Sequence, residues 1–169
     1  MNSYMLSAII CKKTGGTLTE FLQARLFGPM GIRDFHWETC PLGIEKGGWG
    51  LYLKQEDMAK LGLLVLQRGR WDGRALVPEG YIREMSRKQS EPPAEMSDYG
   101  YGWQCWLWAR PGSILFNGLF GQNILVIPDL DMVIASNAGG DRMFGKSGYL
   151  SLCETYFGAG VKLPDTCPP

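Results

Sequence analysis

Residues 114–137, ILFNGLFGQNILVIPDLDMVIASN, constrain the fold more than any other part of this 169-residue chain. Two short apolar runs, Ile124-Leu125-Val126-Ile127 and Met132-Val133-Ile134-Ala135, flank Pro128-Asp129-Leu130-Asp131. Runs this short and this rich in β-branched residues suit strands buried on both faces. Pro128 has no N–H to give to a ladder, so it marks a strand end. Gly118 and Gly121 lie just before the pair and leave the main chain uncovered. A ligand can then approach the backbone N–H groups closely. A bare strand edge beside a buried sheet is one way to build an oxyanion site.

Composition narrows the function classes. Hydrophobic residues make up 45% and charged residues 20%, which fits one compact globular domain over residues 1–169. Lys+Arg and Asp+Glu are both 17, so the chain lacks the basic footprint of a nucleic-acid binder or of a protein held to an anionic membrane. No run of 18 apolar residues is present, so no membrane span is expected. The N-terminal apolar stretch has no basic residues before it, unlike a signal peptide, and reads as a helix. Cysteines fall at 11, 40, 105, 153 and 167, with no CxxC, and His36 is the single histidine. A metal site is therefore not expected, and most cysteines read as reduced thiols acting as small hydrophobes, with room for one surface disulfide. No motif calls for a cofactor.

Along the chain, the apolar residues of 4–13 predict a mostly buried helix stopped by Gly15-Gly16. Thr17-Leu18-Thr19-Glu20 has capping-box spacing and opens a second helix, with Leu18, Phe21, Leu22 and Leu26 on one face. Gly28-Pro29 ends it, and 34–50 reads as irregular. A third helix is expected over 55–67, a tight turn at Asp72-Gly73, and a helix from Pro78 to about Arg87. Residues 90–98 read as a loop and linker candidate. Strands are expected at 99–108, 113–117, 122–127 and 132–136, then a helix over 148–157 and a frayed tail. Helices over 1–89 followed by strands and a terminal helix over 98–160 predict an α+β fold.

Three stretches together resemble the serine β-lactamase and penicillin-binding-protein-like hydrolases, close to class C β-lactamases and their esterase relatives. They are NSYMLSAIICKKTGGTLTEFLQARLFGPMGI (2–32), GGWGLYLKQEDMAKLGLLVLQRGRW (47–71) and the 114–137 segment. The last is similar to the family pattern G-x-x-G-Q-x-x-x-x-x-P-x-x-D-x-V-V. The resemblance implies a partial β-lactamase/transpeptidase-like fold, helices followed by an antiparallel sheet and a C-terminal helix.

Such enzymes use a serine and a lysine in S-x-x-K, one helical turn apart, so that the lysine helps deprotonate the serine. No serine of this chain has a lysine three residues on. By resemblance, the tyrosine of the family's Y-x-N or Y-x-S motif lies upstream of the helix opening at Asn2 or Ser3. Tyr149-Leu150-Ser151 matches the letters but falls on the predicted terminal helix and is rejected. Lys13-Thr14-Gly15 spells the family's KTG, yet it closes a helix, where Lys suits the macrodipole and Gly the left-handed stop.

The resemblance places the counterpart of that strand motif at Phe116-Asn117-Gly118. Loss of the lysine disfavours recognition of anionic β-lactams and points to an esterase or amidase-like parent. It also implies that the backbone N–H of Leu119 is one oxyanion donor, the other belonging to the serine. Trp49 aligns with an aromatic wall of the acyl pocket and Asn137 with a residue near the substrate's polar group, while Gln122 is read as hydrogen-bonding across the sheet near the cleft. For Trp49, Asn137, Gln122, Phe116 and Leu119, ordinary packing or turn roles are the competing readings. His36 reads as a loop or surface residue rather than a base.

The expectation is a C-terminal portion of a β-lactamase-like serine hydrolase, acting on a small ester, amide or lactam in the complete protein and inactive alone. The competing expectation is a non-catalytic module that binds a ligand or partner through the vacated cleft. In either case an uncovered sheet edge favours self-association.

Overall fold

The computed structural model describes residues 2–90, 99–139 and 148–161. Its centre is a five-stranded antiparallel sheet in the order β5-β6-β7-β8-β9: Gly100–Tyr101, Trp106–Leu107, Ile114–Asn117, Asn123–Ile127 and Met132–Ser136. This is the expected α+β arrangement of helices, antiparallel sheet and terminal helix. All five residues of β8 are buried, as its apolar run requires, whereas β9 is half-buried at the sheet's edge. Proline 128 opens a 3-10 turn, and Asp131 closes it in the left-handed region at φ 48°.

Side chains alternate across the sheet and feed two cores. Leu115, Leu125 and Ile127 pack with Leu150 and Cys153 of the terminal helix α5, Gly148–Phe157. Ile114, Ile124 and Val126 pack on the other face. There they meet Met58, Leu61 and Val65 of α3, Gln55–Leu66, and Ile82 and Met85 of α4, Glu79–Met85. Helix α3 lies hard against the strands at Gly62. A Cβ there would fall 2.5 Å from Val133 Cγ1 and 2.7 Å from Ile124 Cγ2.

The N-terminal helices follow their caps. Helix α1 is Asn2–Thr14, and the Thr14 hydroxyl donates back to the Ile10 carbonyl at 2.8 Å. Lys13-Thr14-Gly15 is thus a helix end, as its alternative reading required. Helix α2, Leu18–Leu22, carries both halves of the Thr17–Glu20 capping box and runs into a π-turn over Gln23–Phe27. A third core joins Phe27, Met30 and Ile32 to Leu64. The Asp72-Gly73 turn joins the short strands β3, Arg70–Trp71, and β4, Arg74–Ala75.

Four expectations are corrected. Helix α1 is not mostly buried: Ser7 is its buried residue, while Met5, Leu6 and Ile9 are about half exposed. Apolar residues all round a helix predict burial only if something covers every face, and nothing among the described residues covers this one. The single strand expected over 99–108 is a hairpin, because Gln104 turns the chain at φ 57°. The irregular 34–50 region contains β1, His36–Trp37, which pairs with β2, Leu51–Tyr52. Helix α4 ends at Met85, earlier than expected, and Pro78 is its cap rather than its first residue. Most of the linker candidate and the tail lie outside the described residues.

Candidate active-site cleft

Helix α1, the loop before β2 and the end of the sheet enclose a cleft of about 590 Å3. Ser3, Leu6, Ser7 and Ile10 form one side, and Gly47 and Gly48 form the rim. Met58, Tyr101, Gln104, Trp106 and the strand edge Phe116-Asn117-Gly118, with Gln122 and Ile124, form the other side. Among the described residues, none of those lining the cleft is Asp, Glu, Lys, Arg or His.

Local chemistry explains this assembly. The Ser3 hydroxyl donates to Gln104 Oε1 at 3.1 Å and ties α1 to the β5–β6 turn. Gly47, at φ 68°, lets the helix touch the loop: a Cβ there would lie 2.4 Å from the Ser3 carbonyl oxygen. The loop is held from behind by Glu45, whose carboxylate accepts the Leu18 and Thr19 N–H groups, each at 3.2 Å. Burial pushes the Glu45 carboxyl up, but the backbone and Thr19 hydrogen bonds outweigh it and leave it below its usual range. The Ser7 hydroxyl is buried in the cleft wall without a hydrogen-bond partner among the described residues.

The far wall is set by a row of polar side chains across three strands. Asn117 Nδ2 donates to Asn123 Oδ1 at 2.7 Å, Asn123 Nδ2 to Ser136 Oγ at 3.2 Å, and Ser136 Oγ to the Gly121 carbonyl at 2.9 Å. Register makes this possible, since Asn117 faces Asn123 and Asn123 faces Ser136. Between these ends, residues 118–122 form a tight turn closed by the Gly118 N–H on the Gln122 carbonyl at 2.6 Å. Phe120 holds φ 63° within it, a conformation costly for a residue with a side chain.

The structure brings together four of the seven expected site residues, Phe116, Asn117, Gly118 and Gln122. Leu119 is 43% exposed at the turn and Trp49 is 57% exposed, and neither is part of the lining. Asn137 is exposed beyond β9 and outside the cleft. His36 lies on an exposed strand against Tyr52, with ring centroids 5.9 Å apart. Sequence reasoning missed Asn123 and Ser136. Polar residues interrupting or ending apolar strand runs were the available signal.

The family model for beta-lactamase matches residues 1–156. No curated protein sequence matches the chain significantly. Among solved structures, a protein assigned as a 6-aminohexanoate-dimer hydrolase from Bacillus anthracis is 23% identical, with a TM-score of 0.78 over 90% of this chain and 40% of its own. Simvastatin synthase (LovD) from Aspergillus terreus is 17% identical, with a TM-score of 0.64 over 83% of this chain and 48% of its own. The octameric penicillin-binding protein homologue from Pyrococcus abyssi is 19% identical, with a TM-score of 0.62 over 80% of this chain and 36% of its own. The chain thus spans about half or less of the length of these structures.

Proposed function

The chain belongs to the beta-lactamase family, and on that premise we propose that it forms one wall of the acyl-transfer cleft of a serine hydrolase. In this reading the nucleophile and its lysine come from residues outside these 169, because no serine here has a lysine three positions on. The strand edge at Gly118 and the N–H of Leu119 supply half of an oxyanion site. A single donor of this kind is worth roughly 3–4 kcal/mol in an assembled site. Alone it has nothing to act on, so the isolated chain is inactive.

The observation that carries this reading is the cleft's uncharged lining around the Phe116-Asn117-Gly118 edge. A carboxylate substrate would lose its hydration there without gaining a counter-charge. Esters and amides suit it better than anionic lactams. The test is complementation: a polypeptide carrying the family's S-x-x-K and Y-x-N segments is refolded with this chain and assayed on a neutral nitrophenyl ester. Turnover by the mixture and by neither part supports the reading. A mixture as silent as its parts, although a complex forms, contradicts it.

A second reading, a partner-binding module, is favoured by the exposed Met5, Leu6 and Ile9 of α1 and by β9, which pairs on one side with β8. A related fold occurs in an octameric protein. Self-association would cover both features. A monomeric mass by light scattering at micromolar concentration removes this reading.

A further inference from the structure

We propose that Asn123 and Ser136 are positioning residues that hold the 118–122 turn beside the cleft, and with it the Leu119 N–H that the acyl-transfer reading uses. This rests on the acyl-transfer reading for its purpose, but its evidence is independent. Asn123 is fully buried and Ser136 is 9% exposed, in a sheet whose other buried strand residues are almost all apolar. A buried polar pair costs stability unless it is hydrogen-bonded throughout. Here each side chain of the row donates to the next: Asn117 to Asn123, Asn123 to Ser136, Ser136 to the Gly121 carbonyl.

The row ends on the turn from both sides. Asn117 precedes Gly118, and Gly121 adjoins Gln122, whose Nε2 donates to the Ala138 carbonyl just beyond β9. The turn therefore has one anchor on each flank and a third just past the end of β9. Phe120 keeps φ 63° inside it, and such a conformation persists only where its surroundings over-determine it. A row that served the sheet alone would stop at the ladder. This one continues from Ser136 onto a carbonyl of the turn.

The experiment is amide hydrogen exchange on the 169-residue chain. Ser136→Ala removes the last link, and Asn123→Asp keeps the volume while drawing the Ser136 hydroxyl away from Gly121. In both, exchange in 118–122 rises about tenfold, the effect of one lost hydrogen bond, while the β8 amides of 125–127 keep their protection. Ser136→Thr, which restores the hydroxyl, returns the turn to its original rate. Unchanged exchange in the turn, or equal loosening of β8, overturns the proposal. With the nucleophile-bearing part present, Ser136→Ala lowers kcat with KM unchanged. An exchange effect without any turnover in the wild-type mixture upholds the positioning role and counts against the hydrolase reading alone.

Discussion

Glu45 reaches across the loop that rims the cleft and accepts the N–H of Leu18 through Oε2 at 3.2 Å. With the neighbouring bond from Thr19, this gives α2 an anionic cap in addition to the neutral hydroxyl cap of Thr17. Carboxylates at helix N-termini are favoured both as acceptors and by the macrodipole. One buried side chain thereby couples the helix to the Gly47-Gly48 rim.

Replacing Glu45 by Ala leaves two amide donors without acceptors and costs about 1–3 kcal/mol. Urea unfolding at pH 7 measures this as a lower midpoint. The carboxyl lies below its ordinary value in the folded chain, so its contribution is complete above the unfolded value, about 4.3, and is lost as pH falls through the folded one. Wild-type and Glu45→Ala midpoints therefore converge on acidification below about pH 4. A gap that widens would show that the charge is not what caps the helix.

Gly62 sets the contact between α3 and the sheet. Gly62→Val adds side-chain atoms where Val133 and Ile124 already stand, an overpacking that costs about 1–3 kcal/mol. Gly80→Ala in α4 is the control, since Arg83 Nη2 at 3.9 Å is the sole neighbour of a Cβ there. It is expected to leave the melting temperature unchanged or raise it, because alanine favours helix. Thermal melts of both variants decide the matter.

These positions show what was legible from sequence. The capping box, the Asp72-Gly73 turn, and strands β7 to β9 were readable because local chemistry sets them within a few residues. The partner of Glu45 was not, because Leu18 is 27 positions away and irregular loops carry no period. The hairpin of β5 and β6 escaped for a related reason. Its turn depends on Gln104 at positive φ, a residue type that does not announce it. Exposure of α1 was invisible because an apolar sequence states what a face prefers, not what covers it. The 116–118 edge and Gln122 line the cleft, whereas the exposed Trp49 and Asn137 lie outside that lining.

The cysteines should react in a set order. Burial pushes the Cys105 thiol up to about 11 and raises Cys153 as well. The Tyr4 hydroxyl, 3.3 Å from Cys40 Sγ, lowers Cys40 and favours its thiolate. Iodoacetamide at neutral pH, followed by peptide mass mapping, is expected to modify Cys40 well before Cys105 and Cys153. Tyr4→Phe removes the donor and slows Cys40. Equal labelling of Cys40 and Cys105 in the folded chain would contradict the burial described.

The most direct measurement exposes the isolated 169-residue chain to a neutral nitrophenyl ester and to a fluorophosphonate serine probe, reading turnover and intact mass. A cleft wall without its own nucleophile gives neither product release above background nor a covalent adduct. Turnover with a stoichiometric adduct on a serine of this chain would place the nucleophile within these residues and contradict the account.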